Sequence, residues 1–262
     1  MLTHIAACGD SFSTGEGLPS DIRFEKSYNG VIAERYNLEQ KVYGRSGCCN
    51  FTIWLQVKKV IEHVLEDNNY KPFVVIATTF HERFIIPVDG NGIYNYIPDL
   101  SDVIYDNYNP YYSVKPPLGE VVRPLAFKAK TRPRLLSETV SNIQHHRAKK
   151  VDLSRLFAIL NNDKMNAIDQ YYMELFDTGV KKEYDEALFV AMHSLLKKHN
   201  IPHIVCGHFL PETIAVENNF ELFWSPYITK YPDSVGSGHC NEEGNRAVGE
   251  EMIKHIEKYK LI

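Results

Sequence analysis

Along this chain the hydrophobic pattern switches back and forth between strand and helix signatures, and the order of the switches predicts the architecture. An apolar run at residues 5–8 reads as the core of a first strand over 2–8. A helix is predicted around 27–36, followed by a short strand at 40–43 that runs into the turn Gly44-Arg45-Ser46-Gly47. From 51 to 66, Ile53, Trp54, Val57, Val60, Ile61, Val64 and Leu65 recur at three- and four-residue spacing, the stripe of an amphipathic helix. Phe73-Val74-Val75-Ile76-Ala77 is apolar throughout, as a parallel strand covered on both faces should be. Helical spacing returns at 152–177, with a break at Asn161-Asn162-Asp163, and again at 182–199. A strand at 203–207 follows the turn Asn200-Ile201-Pro202, and an aromatic-rich loop is predicted from 208 to 238. The last helix begins near Asn241, an N-cap residue with Glu242 and Glu243 in the positive first turn.

Strands alternating with helices in this order predict βαβ units and a single α/β domain over 1–262. Its expected form is a flavodoxin-like three-layer α/β/α sandwich around a mainly parallel sheet of about five strands. Residues 84–150 interrupt the rhythm. They are rich in Tyr, Asn, Asp and Pro, then basic, and read as a long insertion after the third strand. The basic part reads as a solvated surface or a contact in a homo-oligomer ahead of an anion-binding patch.

Composition narrows the function classes. With 262 residues, 44% of them hydrophobic, the chain can bury a full core without staples. A net charge of −4 gives no footprint for nucleic acid. The opening residues show neither a basic leader nor a membrane-spanning run. Five cysteines at irregular spacing are an odd set for a disulfide framework, so a cytoplasmic, reducing setting is expected, with the sequon Asn50-Phe51-Thr52 unmodified.

Chemistry is expected at the carboxyl ends of the strands, where open parallel sheets bind ligands. Gly9-Asp10-Ser11-Phe12 stands at the end of the first strand, and His239 stands just ahead of the last helix. A serine hydroxyl is a weak nucleophile at neutral pH and needs such a base. Asp10 is expected to brace the turn by accepting from nearby backbone amides. His203, Cys206 and His208 suggest metal ligands, but strand geometry sends His203 and Cys206 to opposite faces, so no metal site is predicted. Cys48 and Cys49 are expected to pack rather than react.

Three blocks, Gly9-Asp10-Ser11, Gly44-Arg45-Ser46-Gly47-Cys48-Cys49-Asn50 and His239-Cys240-Asn241-Glu242-Glu243-Gly244, together resemble the SGNH hydrolases, the GDSL-type esterases and lipases. The resemblance covers about 1–83 and 200–262. It implies a serine esterase without metal or organic cofactor: Ser11 as nucleophile, His239 as base, and Ser11 and Gly47 amides in the oxyanion hole. Two blocks depart from the family pattern. In the third, usually Gly-x-Asn-Asp, Thr79 occupies the oxyanion asparagine position, and a hydroxyl has one proton and a shorter reach. In the fifth, usually Asp-x-x-His, Gly236 stands in the acid's slot. Asp233 is the nearest upstream carboxylate and reaches the imidazole only if the Ser234-Val235-Gly236-Ser237-Gly238 loop folds back. A Ser-His dyad or an acid from elsewhere are the alternatives.

Asn50, closing the second block, and Arg83, leaving the third strand, are the candidate substrate contacts. The implied partner is a small-molecule or glycan ester, and the Tyr-rich part of the insertion suits sugar rings and carbohydrate O-deacetylation. A different class also fits: a catalytically silent SGNH-like module that binds a glycan or assembles with a partner. A nucleotide-binding flavodoxin relative fits less well, because no phosphate loop follows the first strand.

Overall fold

The structure is a computed structural model and describes residues 1–44, 49–79, 178–207, 210–234 and 238–262. Among these residues, five strands form one all-parallel sheet: β1 (His4–Cys8), β2 (Glu39–Val42), β3 (Pro72–Ala77), β4 (His203–Gly207) and β5 (Asn219–Glu221). Their order is β2-β1-β3-β4-β5, compatible with a doubly wound, flavodoxin-like sheet that switches direction at β1 and β3. Around it lie α1 (Tyr28–Tyr36), α2 (Asn50–Glu66), α3 (Thr178–Lys198), α4 (Trp224–Lys230) and α5 (Glu242–Tyr259).

The central strands have no polar face because both faces are covered. Ala6, Cys8, Val74, Ile76 and Val205 point to one side, where they meet Ile53, Val57 and Val60 of α2 and Phe189, Met192 and Leu196 of α3. Ile5, Phe73, Val75, Ala77, Ile204 and Cys206 point to the other, against Tyr28 and Ile32 of α1 and Val248, Met252 and Ile256 of α5. The strict alternation pins the register, since a one-residue slip would turn every side chain to the wrong layer. His203 and Cys206 part in the same way: His203 meets His193 of α3, whereas Cys206 enters the opposite core.

Helix ends follow the local sequence. Ser27 Oγ accepts from Gly30 N at 3.1 Å to start α1, and Asn37 in the left-handed conformation ends it. Asn241 Oδ1 accepts from Gly244 N at 3.0 Å, the predicted cap of α5.

The span 208–238 is more regular than predicted. It contains β5 and α4, with a short 3-10 turn at Val216–Asn218 leading directly into β5. β5 is three residues long, polar at both ends and on the sheet edge, so no periodicity marks it. Pro226 falls in the first turn of α4, where a missing N–H removes no helical bond. The predicted insertion at 84–150 and the helical stretch at 152–177 lie outside the described residues. Among the described residues, no helix is long and apolar enough to cross a membrane.

Candidate active site

The chain leaves β1 at Cys8 and folds at once into a series of tight turns. Thr14 N donates to Asp10 O at 3.2 Å, Gly15 N to Phe12 O at 3.2 Å, and Glu16 N to Ser11 O at 2.9 Å. The Asp10 side chain braces the first of these turns, accepting from Phe12 N at 3.1 Å through Oδ1. That is the structural role expected of an aspartate in a turn.

Three helices fix this loop. Gln56 of α2 holds Gly9 by both ends of its amide, accepting from Gly9 N at 2.7 Å and donating to Gly9 O at 3.2 Å. Ser13 Oγ lies 2.8 Å from Tyr28 Oη, and Asn29 Nδ2 donates to Ser13 O at 3.3 Å, both from α1. Phe12 stacks on Trp224 of α4, ring centroids 4.1 Å apart, and also meets the His239 ring at 4.8 Å.

His239 arrives from the far end of the chain. Pro232 and Cys240 form an antiparallel bridge, and Asn241 N donates to Tyr231 O at 2.9 Å, so the chain doubles back between 231 and 241. Asp233 is thereby brought against His239: Asp233 N donates to His239 O at 3.1 Å, and His239 N donates to Asp233 Oδ2 at 3.4 Å. Both residues are buried. The imidazole reaches across to the loop after β1, where its Nε2 lies 2.8 Å from Ser11 Oγ. Glu16 Oε2 approaches the same Nε2 to 3.7 Å.

Thr79, just past β3, is tied into the same region. Its hydroxyl donates to Asp10 Oδ2 at 2.7 Å, and Asn50 clamps its backbone, accepting from Thr79 N at 2.8 Å and donating to Thr79 O at 3.1 Å. Asn50 Nδ2 also donates to Asp185 Oδ2 at 2.8 Å, and Asp185 is paired with Lys181. Asn50 is thus fully buried with its amide engaged by protein groups, so its place is behind the site, positioning Thr79. Gly47, Cys48, Arg83, His208 and Gly236 lie outside the described residues.

Three buried thiols are held in their neutral form. Burial pushes Cys240, the residue after His239, up to about 12, and holds Cys8 and Cys206 far above the ordinary thiol range. Cys49 is buried with its Sγ 3.6 Å from Thr52 Oγ1, a packing position as expected. No group of three or more potential metal ligands occurs among the described residues.

Two features escaped sequence reading. Gln56 sits in an apolar stripe, and only its contact with Gly9 gives it a role. The run Gly15-Glu16-Gly17 carries a visible signal, two glycines around one charge just after the serine, but spacing alone does not say what the charge faces.

A serine hydroxyl in hydrogen-bond contact with a buried imidazole, with carboxylates nearby, is an arrangement suited to nucleophilic attack by serine with histidine as proton acceptor. No family model, curated protein or solved structure shows significant similarity to the chain.

Proposed function

We propose that this protein is a serine hydrolase that cleaves carboxylic esters through an acyl-enzyme, in an SGNH-type arrangement over 1–262 with an insertion at 84–150. The observation that carries the reading is the 2.8 Å contact between Ser11 Oγ and His239 Nε2. Ser11 Oγ attacks the ester carbonyl while His239 Nε2 takes its proton and then passes it to the leaving alcohol. Water, deprotonated by the same imidazole, attacks the acyl-serine, releasing the acid and restoring Ser11. Asp233, buried against His239, serves as the orienting acid. Ser11 and Gly47 amides hold the oxyanion, joined by the Thr79 hydroxyl when it turns from Asp10 toward the reacting carbonyl. The Tyr-rich stretch containing Tyr94, Tyr96, Tyr105 and Tyr108 favours a carbohydrate O-acetyl ester as substrate.

The test is labelling with a fluorophosphonate probe alongside hydrolysis of p-nitrophenyl acetate. Wild type should form a Ser11 adduct and Ser11→Ala should lose both activities. Hydrolysis by Ser11→Ala at the wild-type rate would end this reading. A second reading, a silent glycan-binding or assembly module, draws support from the engagement of the Thr79 hydroxyl by Asp10. Its signature is glycan binding with no Ser11 adduct.

A further inference from the structure

The strongest unassigned feature of the site is the carboxylate of Glu16. It lies 3.7 Å from Nε2 of His239, on the reacting side of the ring, whereas Asp233 meets the backbone N–H of the same residue. We propose that Glu16 is a second acidic member of the catalytic machinery, stabilising the His239 imidazolium from the Nε2 side while the proton of Ser11 is in transit. This rests on the serine hydrolase reading above.

The loop is built to put a carboxylate there. Glu16 N donates to Ser11 O at 2.9 Å, so the residue curls back over the nucleophile's own peptide. Gly15 and Gly17 flank it with φ of +69° and +93°, a region that side chains rarely adopt. Neither could carry a Cβ in place: at Gly15 it would lie 2.5 Å from Arg23 O, and at Gly17 2.9 Å from the His239 Cβ and 3.2 Å from the Asp233 Cβ. Gly17 therefore lets the turn close onto both the base and its acid.

The distances separate two roles. At 2.8 Å the Ser11 hydroxyl is in hydrogen-bond range of Nε2, whereas a carboxylate at 3.7 Å is beyond it and acts as a charge. Glu16 thus leaves the Nε2 lone pair to Ser11 in the resting state. When the proton transfers, the ring becomes a cation with a carboxylate already in place. The Glu16 side chain is only about a quarter exposed, so bulk water screens the pair incompletely. Facing His239 from the described elements are the ionisable groups Glu16 and Asp233, the Ser11 hydroxyl and the uncharged Phe12 ring, with Cys240 beside it in sequence. This arrangement also bears on the fifth block, where Gly236 replaces the usual acid: part of the anionic support for the base comes from the nucleophile's own loop.

The experiment follows His239 directly, by NMR titration of its ring in wild type, Glu16→Gln and Glu16→Asp, in parallel with the pH dependence of Ser11 labelling by a fluorophosphonate. Removing the charge in Glu16→Gln should lower the His239 midpoint by about one pH unit. The acid limb of labelling should move down with it, and the plateau rate should fall by up to about tenfold. Glu16→Asp, which keeps the charge, should titrate closer to wild type. An unchanged His239 midpoint in Glu16→Gln, with Ser11 still labelled, overturns the proposal and leaves the hydrolase standing. A shifted midpoint with no Ser11 labelling in wild type shows the charge coupling but removes the reaction, and Glu16's part in it falls with the hydrolase.

Discussion

Thr79 Oγ1 donates to Asp10 Oδ2 at 2.7 Å, joining the end of β3 to the residue that precedes Ser11. A position occupied by an oxyanion asparagine in the SGNH pattern is thus tied to the Ser11 turn. Asp10 is buried, so a lost donor is felt. Thr79→Val keeps the shape and deletes the hydroxyl, and it should destabilise the fold by about 1–3 kcal/mol. On the proposed oxyanion role, kcat for p-nitrophenyl acetate should also drop by about a hundredfold at unchanged KM, while Thr79→Ser retains both the fold and the rate. Stability loss with kcat intact would confine Thr79 to holding Asp10. Thermal unfolding and steady-state kinetics on the three proteins decide the matter.

Gln56 does for β1 what Asn50 does for β3. Each uses a side-chain amide as a surrogate backbone, making one bond in each direction to Gly9 or Thr79. Gln56→Leu fills a similar volume but leaves the N–H and C=O of Gly9 without these partners in a buried place. The expected cost is about 2–4 kcal/mol, from the loss of two buried hydrogen bonds. Ser11 labelling should slow as well, because the turn that carries the serine hangs from Gly9. A Gln56→Leu protein with wild-type urea midpoint and wild-type labelling rate would show that the clamp is dispensable.

Gly17 offers a test of how closely the two ends of the chain must meet. A methyl at this position would press on the His239 Cβ at 2.9 Å, and its φ of +93° is unfavourable for alanine. Gly17→Ala should therefore lose about 1–3 kcal/mol of stability. It should lose Ser11 labelling more steeply than that stability loss explains, since His239 would be pushed from its 2.8 Å contact with Ser11. The ratio of labelling rate to folded fraction is the measurement. If labelling simply tracks the folded fraction, the close approach of Gly17 is structural alone.

Periodicity carries the layered part of this molecule well and its edges badly. Strands β1, β3 and β4 are legible because two cores cover them and leave no polar face. The start of α5 is legible because Asn241 is a cap with its own side-chain chemistry. β5 is not, being three edge residues of which only Phe220 belongs to a core. In the site, Ser11 and His239 stand out at strand and helix ends, and the return of the chain through Asp233 is permitted by the glycines around it without being dictated by them. Asn50 and Glu16 show the limit. Whether a polar side chain faces a ligand or a neighbouring backbone depends on contacts between segments distant in sequence or tightly folded, such as Asn50 with Asp185 and Glu16 with His239.

Away from the site, the pairing of His193 with His203 gives the fold an acid limit. His203 Nδ1 is 2.9 Å from Ile201 O, which only an N–H can satisfy, so its Nε2 is the acceptor for His193 Nδ1 at 2.9 Å. A protonated His203 would turn that acceptor into a donor. Burial, the larger cause, together with His193 and Lys197, lowers His203 to about 4 despite the opposing bond to Ile201 O. Burial lowers His193 too, with Lys197 adding and Glu217 opposing. Below the unfolded histidine value of about 6.5 the unfolded chain binds a proton that the folded one refuses. The stability associated with neutral His203 is therefore intact above about pH 6.5 and is lost as pH falls toward 4, a change on the order of 3 kcal/mol. His203→Gln cannot titrate, so its urea-unfolding free energy should decline less over that window, though it starts lower at pH 7.5. Parallel pH profiles for the two proteins between 6.5 and 4 would show that the acid sensitivity arises elsewhere.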